Sequence, residues 1–109
     1  MDNKEIRIGN LIKRNGILVT VDEQTFWDMK SNPDQYEPIM INEYWLKRFG
    51  FKEDPDGVYR RGGRELIEVF FFSAGFVVSS QSIALPDVDF IHQLQNLYFA
   101  LTGNEIKNG

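Results

Sequence analysis

Residues 58–78, VYRRGGRELIEVFFFSAGFVV, decide the fold. Gly62-Gly63 reads as a two-residue hairpin loop, since such loops need positive φ at their centre. That loop sets Arg61 against Arg64, Arg60 against Glu65, Tyr59 against Leu66 and Val58 against Ile67. Gly75 then takes the left-handed position of a three-residue loop, so Phe72 faces Phe76 and Phe70 faces Val78. The outcome is a three-stranded antiparallel meander. One of its faces presents Tyr59, Leu66, Phe70, Phe72, Phe76 and Val78. The other presents Val58, Ile67, Val69, Phe71 and Val77. A sheet with one buried face alternates apolar and polar residues. This one does not, so both faces call for cover.

One cover is the closing stretch PDVDFIHQLQNLYFALTG, residues 86–103. Asp87 is the expected N-cap and Gly103 the C′ residue of a helix. At helical spacing Phe90, Leu94, Leu97 and Leu101 form a core stripe flanked by Ile91 and Tyr98. His92, Gln95, Asn96 and Phe99 fall on the opposite side. The tail, residues 104–109, is expected to fray. The second cover is the N-terminal hairpin layer, the short central helix or another subunit.

The N-terminal layer starts at NLIKRNGILVTV, residues 10–21. Asn15-Gly16 is a strong hairpin signal. It pairs Arg14 with Ile17, Ile12 with Val19 and Asn10 with Val21. Ile12, Ile17, Val19 and Val21 then share the better core face, and Gly9 marks a bulge or bend. Thr25–Met29 reads as a short third strand, and residues 30–38 as a loop around Asn32-Pro33-Asp34. In INEYWLKRFGF, residues 41–51, Asn42 is a helix N-cap and Gly50 its C′ residue. Ile41 and Phe51 can each pack on Leu46, at the two ends of that helix.

With 109 residues, the chain is read as one domain spanning 1–109. Hydrophobic residues at 42% and aromatics at 14% supply a core. There is no cysteine, which excludes disulfides and thiolate chemistry. No apolar h-region opens the chain, and no run approaches the roughly 20 residues of a membrane helix. A soluble, cytoplasmic protein with no membrane partner is expected. The net charge of −4 weighs against nonspecific nucleic-acid binding.

EPI, INEYWLKRFGF and the closing HQLQNLYFALTG resemble an uncharacterised family of small proteins from Bacteroidetes genomes, their phages and mobile elements. The resemblance spans nearly the whole chain, with an IRIGNLI-like opening, the hairpin, the short helix, the meander and the closing helix in the same order. The closing motif is its specific part. The tail NEIKNG departs from the family, where an acidic pair is more usual. The family carries no assigned activity, so the resemblance implies provenance and fold plan.

Three groups of residues are candidates for function. His92, the one imidazole, could pair with Asp89 as a base, or serve as a surface or interface histidine. With Gln95, Asn96 and Phe99 it forms an outward row, an aromatic anchor among amides of the kind binding surfaces favour. Phe99 could instead pack under the loop of residues 30–38. Arg60, Arg61 and Arg64 form the basic cluster, where like charges at a hairpin tip would welcome an anion; the alternative is a solvated hairpin end with an Arg60–Glu65 pair. Residues 79–82, SSQS, read as a strand end and loop. No cofactor or metal is expected.

The resulting expectation is an α+β fold: an N-terminal β-hairpin layer, in one version an SH3-like half-barrel, a short helix, and a meander packed by the C-terminal helix. The expected function is that of a non-enzymatic accessory protein of phage or mobile-element origin, acting by protein binding and self-associating as a homo-oligomer. The alternative is a protein that sequesters a small anionic or nucleotide-like ligand through the arginines.

Overall fold

The computed structural model describes residues 1, 5–62 and 66–107. The fold is α+β, with two antiparallel sheets and three α-helices among the described residues. In the first sheet β1 (Leu11–Arg14) and β2 (Ile17–Thr20) pair around Asn15-Gly16, with Arg14 opposite Ile17 and Ile12 opposite Val19 as the turn requires. Both turn residues have positive φ. The ladder runs on past Thr20: the Val21 N–H donates to the Asn10 carbonyl and the Gly9 N–H to the Val21 carbonyl, both at 2.8 Å. Two residues thus oppose one, a β-bulge made possible by Gly9 at φ 98°. Strand β3 (Tyr36–Glu37) joins the far side of β1, giving an open sheet of order β2-β1-β3.

Ile12 and Val21 are buried and Val19 half-buried, as the hairpin pattern predicts. Ile17 departs from it: near the tip it outruns the core and is 69% exposed. Thr25–Met29 also departs from expectation. It lies inside a helix, α1 (Glu23–Ser31). The β-prone Thr-Phe-Trp run is overruled by its flanks. Asp22 caps the helix by accepting the Thr25 N–H at 2.7 Å. Glu23 and Lys30 suit the two ends of the helix dipole. Met29 is buried with Ile6, Ile12, Val21 and Tyr36 in a small core. Residues 33–35 form a 3₁₀ turn.

Helix α2 (Glu43–Arg48) is bounded as its sequence predicts. Asn42 accepts the Trp45 N–H at 3.0 Å. At the other end Phe51 N–H donates to Leu46 and Gly50 N–H to Lys47, the Schellman pair, with Gly50 at φ 84°.

The meander has five strands rather than three: β4 (Lys52–Glu53), β5 (Tyr59–Arg61), β6 (Ile67–Phe72), β7 (Gly75–Ser80) and β8 (Ile83–Leu85), in that spatial order. Its register differs from the glycine-based expectation at both turns. Arg61 opposes Ile67, Arg60 opposes Glu68 and Tyr59 opposes Val69. Residues 62–66 therefore connect β5 to β6, and 63–65 lie outside the described residues. The next loop is the two residues Ser73-Ala74, with Phe71 opposite Phe76 and Phe70 opposite Val77. Slips by an odd number of residues exchange faces. The adopted register gathers Tyr59, Ile67, Val69 and Val78 on one buried face, with Phe71 and Phe76 packed against them. The outer face carries Arg60, Glu68 and Ser79 beside Phe70, Phe72 and Val77. One face of the meander is thus mainly apolar, with Arg61 and Ser80 beside Ile67, and the other mixes apolar and polar residues, so the expectation of two apolar faces is corrected. Residues 79–82 continue β7 and turn tightly into β8, with Gln81 and Ser82 both at positive φ.

Helix α3 (Ile91–Thr102) begins three residues later than an N-cap at Asp87 would set it. Phe90 is the N-cap residue because its backbone is extended, bridged to Met40, while Ile91 N–H donates to the Ile39 carbonyl at 2.8 Å. Gln93 caps from within, its Oε1 accepting the N–H groups of Asp89 and Phe90. Gly103 ends the helix in the left-handed region, as predicted. The tail does not fray at once. Ile106, 4% exposed, is part of the main core with Leu11, Leu46, Phe49, Ile91 and Leu94.

Candidate functional site

The row His92, Gln95, Asn96 and Phe99 is largely turned inward, with only Phe99 exposed, at 39%. It is the seat of the chain's own N-terminal segment. Gln95, 3% exposed, accepts the Leu11 N–H at 2.8 Å and donates to the Gly9 carbonyl at 3.3 Å. Its amide supplies the two contacts that the bulged backbone lacks. Asn96 accepts from the Asn10 side-chain amide at 2.9 Å and from Arg7 Nε at 3.1 Å, and donates to the Glu5 carbonyl at 2.8 Å. The Arg7 guanidinium stacks on Phe99, 4.2 Å from the ring centroid, and forms a bidentate pair with Glu105. Phe99 therefore packs under Arg7. The row expected to meet a partner thus forms an intramolecular seam with residues 5–11, with Phe99 still partly open. Its amides face inward because the helix has elements on two sides: the sheet and α2 take its aliphatic stripe, and the first strand takes its amide face.

His92 sits at the upper end of that seam, 4% exposed, its ring stacked parallel to Phe90 at 5.8 Å. Its Nδ1 is enclosed with no hydrogen-bond partner, so the suggested pair with Asp89 is not formed. Desolvation lowers the imidazole pKa below its usual 6.5, with Glu5 opposing the shift. The ring forms one wall of a cleft of about 260 Å³ with Glu5, Pro38, Phe90 and Gln93. A hydrogen bond of 3.0 Å from Gln93 Nε2 to Glu5 separates it from a neighbouring cleft of about 430 Å³ that reaches Asp87 and Leu97. Glu5 and Gln93 escaped the sequence reading. Gln93 could have been found as the glutamine three residues after a helix cap. No spacing rule links residue 5 to residue 93.

The arginine cluster is also used internally. Arg60 is held by three carboxylates: Asp54 at 2.6 Å, Asp56 at 2.9 Å and Glu68 at 2.8 Å. Its hydrogen bonds keep the Asp56 carboxyl below the usual carboxylate range. Its cross-strand partner is Glu68 in place of Glu65. Arg61 Nε donates to the Phe49 carbonyl at 2.8 Å, closing the end of α2, and its guanidinium lies 4.8 Å from the centroid of the Tyr98 ring. A guanidinium surrounded by three carboxylates repels anions, so the anion site is corrected for Arg60. Arg61 opposes Ile67, so the like-charge pair that motivated the site is absent there; Arg64 lies outside the described residues.

The sheet edges differ in how they are protected. Natural edges are blunted by charge, proline or brevity. β3 has two residues and runs into Pro38; β4 is Lys52-Glu53; β8 has three residues and runs into Pro86. β2, Ile-Leu-Val-Thr, has four residues and none of these guards. Leu18 is 44% exposed beside Ile17. The inward bond of Val21 fixes the parity of the ladder, so the backbone groups of Leu18 and Thr20 point away from β1.

Among the described residues no helix is long and apolar enough to cross a membrane, and no group of three or more histidine, aspartate or glutamate side chains could hold a metal ion. No family model, curated protein or solved structure matches the chain.

Proposed function

We propose that this chain is a non-catalytic accessory protein that acts by binding protein, beginning with a second copy of itself through the edge of β2. The observation that carries this reading is the unguarded edge, with the outward backbone groups of Leu18 and Thr20 beside exposed Ile17 and Leu18. Strand addition supplies affinity through main-chain hydrogen bonds and selectivity through alternate side chains. An antiparallel two-fold pairing centred on Val19 sets Leu18 against Thr20 of the second copy. That pairing joins outward groups to outward groups, keeps both cores on their own faces and brings no like charges together in the strand. The phage or mobile-element setting implied by the resemblance belongs to the same proposal.

Light scattering of the chain at about 50 µM tests it, a concentration at which interfaces of micromolar affinity are populated. A dimer is expected, with amide exchange slowed at Leu18 and Thr20. Leu18→Lys should give a monomer of unchanged thermal stability. A wild-type monomer at this concentration, or a dimer that Leu18→Lys leaves intact, overturns the β2 reading.

A further inference from the structure

The cleft beside His92 is independent of the β2 edge. Its walls combine three features. His92 is a nearly enclosed side chain whose ring lines the cleft while its Nδ1 is itself buried. Phe90 and His92 line the cleft as stacked rings with 7° between their planes, and Pro38 joins them, so the lining is largely apolar. Among the described residues, the charged side chains lining this cleft and its neighbour are carboxylates, Glu5 and Asp87; Met1 also lines the cleft, its ammonium donating to the Pro33 carbonyl at 2.6 Å. Arg7, the nearest arginine along the chain, is turned to Asn96, Phe99 and Glu105.

We propose that this cleft binds a small organic amine, with the ammonium on the Glu5 carboxylate and a short apolar stem against Phe90, His92 and Pro38. Charge complementarity selects the cation, since a carboxylate beside an aromatic wall attracts an ammonium by ion pairing and by the ring quadrupole together. Glu5 is already oriented by Gln93, and Gln93 is fixed by its two bonds to the start of α3. The carboxylate is therefore positioned before a ligand arrives, which lowers the ordering cost of binding. A volume of about 260 Å³ is below the range usual for drug-sized ligands, so the fit is to a single short amine.

The test follows the ring resonances of His92 by NMR. They are unambiguous because the chain has one histidine. At constant pH, n-butylamine should move them saturably, whereas butyrate, with the opposite charge on a similar stem, should not. Glu5→Gln, a change at an exposed site, should weaken the amine by about fivefold to tenfold, as expected for loss of one charge-assisted contact. The proposal is overturned if n-butylamine leaves the His92 signals in place, if butyrate moves them equally, or if Glu5→Gln binds the amine as the wild type does.

Discussion

At the scale of single residues, several side chains that look functional by type are committed to backbone the fold would otherwise leave unpaired. Gln95 serves Leu11 and Gly9, and Arg61 serves Phe49. Gln95→Ala should therefore cost about 1–3 kcal/mol in urea unfolding, because buried partners are left unsatisfied. His92 gives a pH signature whose sign follows from its environment. Burial lowers its folded pKa, so the unfolded chain takes up the proton first as pH falls. The stabilising preference for the neutral ring is complete above about pH 6.5 and is lost as pH drops towards the lowered folded value. The urea midpoint should hold steady from pH 7 to 8 and decline below 6.5, and His92→Gln should flatten that decline. An unchanged decline in the variant would show that other groups cause it. At the turn between β7 and β8, Ser82 holds φ 67°, which suits glycine. Ser82→Gly should raise stability by up to about 1 kcal/mol, read from the same urea midpoint. The residue identities here were visible in the sequence, but their partners were not: Gln95 and Leu11 are 84 residues apart.

At the scale of elements, legibility followed the strength of the local chemistry. Asn15-Gly16 fixed one hairpin because two positive-φ residues admit few alternatives. Asn42 and Gly50 bounded α2 for the same reason. Asn42→Ala should lower stability by about 1 kcal/mol through loss of the bond to Trp45 N–H, measurable by urea or heat. Gly62-Gly63 misled because glycine permits a turn without requiring one there. The register of β5 on β6 was decided instead by which alignment buries Tyr59, Ile67 and Val69 together, a choice made between strands and against α3. The helix α1 was misread because its Thr-Phe-Trp centre favours strand, whereas the Asp22 cap and the burial of Met29 favour helix. The same register slip groups Val77 with Ile67 and Val69, whereas the fold sets it opposite Phe70.

At the scale of the whole molecule, β1 is the shared wall of two cores. Ile12 points into the small one with Met29 and Tyr36, and Leu11 into the large one with α2, the second sheet and α3. The fold class and the helix at the end were legible because they rest on local periodicity. The seam between residues 5–11 and α3 was not, because long-range polar pairing leaves no periodic trace. Ile106 completes the large core from a stretch that reads as tail. Ile106→Ala should cost about 2–5 kcal/mol, as large-to-small changes in packed cores do; a loss below about 0.5 kcal/mol would mean the segment is not docked in solution. The seam also sets an order on biosynthesis. A ribosome releases the first hairpin with Asn10, the Gly9 carbonyl and the Leu11 amide still lacking the partners that Gln95 and Asn96 supply. Those partners emerge much later, Gln95 being made 84 residues after Leu11. The nascent first layer must stay hydrated and provisional until then, so the hairpin is completed only once the α3 segment has been made.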